Sequence, residues 1–115
     1  MDIPAKAARP KIDDGTSMDV ADCRTMDDVR REIDRLDRKL VALLATRQGF
    51  IEAAARIKGE RRAVRDETRI GEVMARVKEE SARRGLSLDI AEAVWRALID
   101  ASIAYELEEF DRRHR

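Results

Sequence analysis

The sequence contains 115 residues, enough for one domain, and 43% of them are hydrophobic although only 3% are aromatic, which predicts an aliphatic, helix-rich core. Charged residues make up 42% of the chain but sum to a formal charge of zero, which argues against a nucleic-acid surface because phosphate binding needs a net basic face. No apolar run approaches the ~18 residues of a membrane span. The single cysteine, Cys23, fits a reducing, cytoplasmic setting.

The first 24 residues are expected to form a disordered leader. They contain Pro4, Pro10 and Gly15 but few large apolar side chains, so burial cannot offset the entropy lost on ordering. Met18 could be the true start of translation instead of Met1. The folded domain is expected to cover residues 25–115.

A long amphipathic helix is predicted from Met26 to Lys58. Thr25 and Asp28 have the spacing of a capping box at its start. Its apolar residues recur mainly at steps of three and four and form one seam, in which a cation, Arg47, takes one position. The seam consists of Met26, Val29, Ile33, Leu36, Leu40, Leu43, Phe50, Ala54 and Ile57.

The length of this helix predicts a second copy of the chain. At ~1.5 Å per residue it would be roughly 50 Å long, whereas a compact domain of about a hundred residues has a radius of gyration near 13 Å. The rest of the chain supplies only two shorter helices, so we expect a second chain to pack along the exposed part of the seam.

Arg47 has two interpretations. It could pack its stem and pair its head with a carboxylate, or it could bind an anionic ligand. Lys58 favours the ligand, because it lies about 16 Å along the axis from Arg47 and only about 20° around it. Arg30 precedes Arg47 by about 25 Å, too far to share a small ligand within one chain, although in a dimer it could serve the partner's site.

Two further helices and no strands complete the prediction. Asp66 suits the N-cap of the second helix, which runs to about Arg84 and ends at Gly85. Ser87 or Asp89 can cap the third. The expected inward residues of the third helix are Ile90, Ala91, Val94, Trp95, Leu98, Ser102, Tyr105 and Phe110.

Ser102 and Glu106 lie four residues apart, hence on one face of the third helix, which could be a polar site or simply a solvent edge. No metal site is expected, because one terminal histidine and one cysteine cannot form one. The sequence also lacks a phosphate-binding loop and a base for nucleophilic catalysis. No cofactor is therefore expected, and function should depend on cations and a few carboxylates.

Four blocks of sequence together resemble the all-helical chorismate mutases, over roughly residues 26–110. The blocks are Val29-Arg30-x-x-Ile33-Asp34-x-Leu36-Asp37, Leu43-Leu44-Ala45-x-Arg47, Ile57-Lys58 and Val64-Arg65-Asp66-x-x-Arg69. The resemblance implies an intertwined homodimer of three-helix chains, in which each active site takes one arginine from the partner. It also implies a dianionic substrate, chorismate, which is rearranged to prephenate in aromatic amino-acid biosynthesis.

The resemblance also implies roles for individual residues. Arg47, with Arg30 acting in the partner's site, would clamp the two substrate carboxylates. Lys58 would contact the ether oxygen and a carboxylate. Three further residues would line the site near the ring hydroxyl or complete its polar wall: Asp66, Arg69 and Ser102.

Two positions depart from the family pattern. Glu106 stands where many members have glutamine and can donate a hydrogen bond only when protonated, so burial is expected to favour activity at mildly acidic pH. Ile70 stands where better-known mutases place a glutamate that binds the ring hydroxyl. Isochorismate-pyruvate lyases, which form salicylate and pyruvate, are also apolar there, whereas Asp66 is more typical of a mutase.

A non-catalytic helical dimerisation module is a third possibility, but it would not explain Arg47 in the seam.

Overall fold

The computed structural model describes residues 18–115, and this part of the chain is entirely helical. The predicted all-α class with three helices and no strands is confirmed for these residues. The elements are a 3-10 turn at Val20–Asp22, α1 at Met26–Ile57, a 3-10 turn at Arg61–Ala63, α2 at Glu67–Arg84 and α3 at Leu88–Arg113. Within this described range, no helix combines the length and the apolar character that crossing a bilayer requires.

The expected leader, residues 1–24, falls mainly outside the described residues. Residues 1–17 are not described, and residues 18–24 contain the first 3-10 turn. The disorder of the leader and the boundary at residue 25 therefore stay predictions.

The chain divides into two compact units, and α1 contributes to both. We call residues 18–47 the N-terminal unit and Gln48–Arg115 the C-terminal unit. Each is described by itself below.

The predicted capping box opens α1 in the N-terminal unit. The Asp28 backbone N–H donates to Thr25 Oγ1 at 3.1 Å, while Asp28 Oδ2 accepts from the backbone N–H groups of Arg24 and Thr25 at 3.0 and 3.2 Å. These donors stabilise the carboxylate, and the Arg24 N–H contributes most to lowering the pKa of Asp28. The start of the helix is thus fixed locally.

The apolar seam of the N-terminal unit faces solvent. No described residue of this unit is buried, and five of its seam residues are 40–66% exposed: Met26, Ile33, Leu36, Leu40 and Leu43. A helical segment without buried apolar surface gains little stability from packing. The single chain therefore leaves a long apolar stripe uncovered.

The core lies in the C-terminal unit. Ala55 of α1, Val64 of the connection and Phe110 of α3 form one buried cluster, against which Ile103 and Leu107 pack. A second buried set, Met74, Ala91 and Ile99, lies on α2 and α3, the two helices that pack together.

The predicted inward face of α3 is partly wrong for the single chain. Ile90 and Val94 are 56% and 49% exposed, whereas Ile99, which was not predicted, is 7% exposed. Successive helical residues differ by about 100°, and α3 carries apolar residues around much of its circumference. Packing against α2 selects the face of Ala91 and Ile99, and periodicity alone could not identify that face.

Local signals fix the ends of α2 and α3 as predicted. Asp66 Oδ1 accepts from the Arg69 backbone N–H at 3.1 Å, and Ser87, rather than Asp89, caps α3 by accepting from the Ile90 N–H at 3.4 Å. Gly85 ends α2 with a φ of 71°, a left-handed conformation that costs glycine least.

The same substitution at two glycines should change stability in opposite directions. Gly71→Ala, inside α2 with open space around the new Cβ, should raise the free energy of unfolding by about 1 kcal/mol because alanine favours a helix. Gly85→Ala should lower it by about 1 kcal/mol because of the positive φ. Urea unfolding at one fixed protein concentration measures both, and a stabilising Gly85→Ala would contradict the assigned helix end.

Candidate functional site

An ion pair with one buried partner joins the end of α1 to α3 in the C-terminal unit. Lys58 follows the last residue of α1, and its backbone N–H donates to Ala54 O at 2.9 Å, which extends the helical turn. Its Nζ lies 2.8 Å from Glu106 Oε2 on α3. The side chain of Glu106 is only 6% exposed, whereas that of Lys58 is 29% exposed. The ammonium therefore satisfies the buried carboxylate and still reaches solvent.

The burial of Glu106 excludes the interpretation of its face as a solvent edge. A carboxylate surrounded by protein costs free energy unless charged or hydrogen-bonding groups compensate. A hydrophobic residue would serve helix packing equally well, so an ionic pair at this position is a candidate for function. Ser102, one turn earlier on α3, is half-buried.

Asp66 and Arg69 lie at the start of α2. Their side-chain hydrogen bonds and ion pairs among the described residues stay within the first turns of that helix: Asp66 caps it, and the Arg69 guanidinium lies 3.4 Å from Glu72 Oε2. The Arg69 side chain is 56% exposed. The structure thus brings Lys58 and Glu106 into direct contact, but not Asp66 or Arg69 with that pair.

Arg30 and Arg47 belong to the N-terminal unit. The Arg30 side chain is 69% exposed, with Nη1 3.9 Å from Asp27 Oδ1, while Arg47 is half-buried. Both lie on the uninterrupted helix α1, which keeps them about 25 Å apart along its axis. They cannot contact one small molecule from the same chain.

The structure places Tyr105 in a polar network, whereas the sequence pattern predicts it as part of the apolar stripe of α3. Tyr105 Oη donates to Glu52 Oε2 at 2.5 Å, and Gln48 Nε2 donates to Glu52 Oε2 at 3.3 Å and to Tyr105 Oη at 3.4 Å. Gln48 and Glu52 lie one turn apart on α1, which was the available signal. The Tyr105 hydroxyl lowers the pKa of Glu52, and the bond to that carboxylate raises the pKa of Tyr105.

Comparison with known families identifies the architecture. The model of the family "Chorismate mutase type II" matches residues 29–107. The chain belongs to this family. The resemblance seen in the sequence is therefore confirmed, and the matched range contains all seven candidate residues, namely Arg30, Arg47, Lys58, Asp66, Arg69, Ser102 and Glu106.

A curated relative points to a second activity within this fold. The chain is 26% identical over 87 residues to a Pseudomonas aeruginosa protein named isochorismate pyruvate lyase, covering 76% of this chain and 86% of the relative. No solved structure gives a significant match. Family membership thus supports chorismate mutase-like chemistry without separating mutase from lyase.

Residues 18–115 contain no candidate metal site. No group of three or more histidine, cysteine, aspartate or glutamate side chains within that range is arranged to hold an ion.

The bond between Tyr105 and Glu52 should make stability depend on pH. The Glu52 pKa is lowered from its ordinary value near 4.5, so its stabilisation is present above that pH and is lost as the pH falls through the lowered value. The Tyr105 pKa is raised above 10. Above pH 10 the unfolded chain loses this proton first, so stability falls as the pH rises.

Tyr105→Phe removes both contributions. Thermal unfolding from pH 3 to pH 11, at fixed protein concentration, should show a flatter dependence at both ends than the parent protein shows. The Asp111 carboxylate, whose pKa Arg61 lowers, keeps its own acid dependence in both proteins and serves as the internal reference. Identical profiles would exclude this contribution.

Proposed function

We propose that the protein is a chorismate mutase that converts chorismate to prephenate for aromatic amino-acid biosynthesis in the cytoplasm. The observation that carries the proposal is the contact of Lys58 with the buried carboxyl group of Glu106, at 2.8 Å, in a chain that belongs to the type II chorismate mutase family. The pair presents a partly exposed ammonium next to a carboxyl group inside the C-terminal unit.

The reaction suits such a pair because it is a pericyclic rearrangement. The ether C–O bond breaks as a new C–C bond forms, with no nucleophile, proton transfer or metal. The protein has to hold the substrate in its reactive conformer and aim donors at the ether oxygen, which gains negative charge as the C–O bond lengthens. Lys58 donates to that oxygen, and Glu106 would donate a second hydrogen bond only in the form in which its carboxyl group carries a proton instead of pairing with Lys58 as a carboxylate.

The remaining residues bind the two substrate carboxylates and the ring. Arg47 and Arg30 of a second copy hold the carboxylates, and Asp66, Arg69 and Ser102 complete the polar lining. Guanidinium groups suit this task because they bind carboxylates in a bidentate manner.

A homodimer accounts for the uncovered apolar stripe. The N-terminal unit has no buried residue among those described, and its seam is 40–66% exposed at five positions. A second copy that covers this stripe would remove apolar surface from water and would bring its own Arg30 within reach of the first copy's site.

Lys58→Met should reduce kcat/KM for chorismate by about 10²–10³, the usual effect of removing one donor to a developing oxyanion. Lys78→Met is the matched control, because Lys78 also pairs with a glutamate of α3, Glu92, at 3.3 Å. The control should keep its activity. Circular dichroism establishes that both variants are folded at the assay temperature, and equal losses in the two variants would contradict the role of Lys58.

Glu106→Gln tests whether activity depends on protonation of the Glu106 carboxyl group or only on the packing of a side chain at this position. The parent protein should turn over chorismate faster at mildly acidic pH, since a carboxylic acid donates only while protonated. Glutamine donates at every pH, so the variant should remain active with a flat profile. A parent rate that stays flat well above neutrality would exclude Glu106 as a donor.

The proposed exchange of Arg30 can be tested with purified heterodimers. An Arg30→Ala chain and an Arg47→Ala chain, co-expressed with different tags, should each be inactive as homodimers, but their heterodimer should regain about half the activity because one of its two sites is complete. The control pairs a parent chain with a chain carrying both substitutions, and it should be inactive. If both arginines act within one chain, the first heterodimer should be inactive and the control heterodimer should show about half the activity.

Isochorismate-pyruvate lyase is the second candidate, favoured by the relative of that name. Ile70, directly after Arg69, is half-buried and apolar, so it offers no side-chain hydrogen bond to a ring hydroxyl. Asp66, in the block Val64-Arg65-Asp66, is more typical of a mutase and therefore favours mutase activity.

A further inference from the structure

A second polar bridge joins α1 to α3 beside the pair of Lys58 and Glu106. Tyr105 Oη donates to Glu52 Oε2 at 2.5 Å, and this bond spans 53 positions of the sequence. Tyr105 directly precedes Glu106 on α3, and Glu52 precedes Lys58 by six residues, about 9 Å along the axis of α1. Both bridges therefore hold the same stretch of α1 against the same stretch of α3 within the C-terminal unit.

The two bridges lie at different angular positions on both helices. Successive helical residues differ by about 100°, which places Tyr105 about 100° from Glu106 and Glu52 about 120° from Lys58. A single bridge would allow either helix to roll or slide about the bonded atoms. A second bridge that is displaced in angle and along the axis removes that freedom, so the two together fix the register of α1 on α3.

The segment of α1 between the bridges offers little packing that could fix this register. It begins with Ala53-Ala54-Ala55 and ends with the exposed residues Arg56 and Ile57. Ala55 is the one buried residue of α1 and belongs to the core cluster. Packed helices are held in register by ridges of side chains that fit into the grooves of a neighbour, and an alanine surface has only shallow ridges. The register of α1 on α3 therefore depends on the polar bridges.

A third bridge, between Arg61 and Asp111, lies outside this arrangement. Arg61 Nε is 2.9 Å from Asp111 Oδ1, but the two side chains are 60% and 51% exposed, so water and salt screen the pair. Arg61 belongs to the 3-10 turn after α1. This bridge holds the connection between helices rather than α1, and it provides a control for the bridge at Tyr105.

We propose that Tyr105, through its hydrogen bond to Glu52, is a positioning residue that sets the distance between Lys58 and Glu106. Its hydroxyl group bonds to Glu52 and Gln48, so it acts through the two helices and not on a ligand. This role rests on the proposed function, in which Lys58 is aimed at the ether oxygen. Misplacing a catalytic group by 1 Å can cost about 10²-fold in rate.

Turnover by substituted proteins tests this role. Tyr105→Phe and Glu52→Ala should each lower kcat for chorismate about tenfold, less than the cost of a full 1 Å displacement. KM should stay nearly unchanged, because neither residue binds the substrate carboxylates. Glu52→Gln should retain most of the activity, since an amide oxygen still accepts from Tyr105. Combining Tyr105→Phe with Glu52→Ala should cost no more than either alone, because both substitutions remove the same bond.

The matched control is Asp111→Asn, which weakens the exposed bridge to Arg61 and should keep the parent kcat. All rates are measured at a temperature where circular dichroism shows every variant to be folded, which separates positioning from stability. An unchanged kcat in Tyr105→Phe, or an equal loss in Asp111→Asn, would overturn the proposal.

Chemical labelling of Lys58 tests the positioning without turnover. The rate at which trinitrobenzenesulfonate modifies its amine, followed by mass spectrometry of proteolytic peptides, should rise at least about threefold in Tyr105→Phe, the effect expected when an ion pair of ordinary strength is loosened. Lys78, paired with Glu92 at 3.3 Å, is the internal reference and should be modified at the parent rate.

The two readouts fail separately. If the parent protein turns over neither chorismate nor isochorismate, the proposed function is wrong, and the labelling rate still decides whether Tyr105 holds Lys58 against Glu106. Equal labelling of Lys58 in the parent and in Tyr105→Phe would overturn the positioning role even in an active mutase.

Discussion

The contact between Lys58 and Glu106 is the physical constraint on which the site depends. Burying a carboxylate costs several kcal/mol if it stands alone, and here the cost is offset by an ammonium 2.8 Å away. The partner residues are supplied by the end of α1 and by α3, so the pair forms only when the C-terminal unit is folded. The exposed fraction of Lys58 then leaves a charge that can be presented to a ligand.

The N-terminal unit lacks such a buried contact. It carries charged side chains and apolar surface, but none of its described residues is buried. Its capping box specifies where α1 begins, but a cap contributes far less than the burial of a seam. Arg30 and Arg47, about 25 Å apart on this helix, cannot converge on one small molecule from a single chain. A second copy would resolve the uncovered seam and the separated arginines together, which is why the homodimer is central to the proposed function.

Local chemistry explains what the sequence predicted well. Thr25 with Asp28, Asp66, Gly85 and Ser87 act through bonds to neighbouring backbone groups or through their own φ angle, so the helix boundaries were readable without the fold. The family blocks likewise identified Lys58, and the family pattern singled out Glu106 as a departure from the usual glutamine. The structure joins these two residues across 48 positions of sequence.

The failures arise where a partner helix decides the outcome. Ile99 is buried and Ile90 is exposed because α2 packs against one of several apolar faces of α3. The bond between Tyr105 and Glu52 needed the relative placement of α1 and α3. Helical periodicity contains neither placement.

The most direct measurement follows the purified protein with chorismate and, in parallel, with isochorismate, detecting prephenate in the first reaction and salicylate plus pyruvate in the second. Mutase activity predicts a larger kcat/KM for chorismate, with Ile70 a tolerated substitution at the ring-hydroxyl position. Dominant formation of salicylate and pyruvate would contradict the account and would assign the chain to the lyase activity of its Pseudomonas aeruginosa relative.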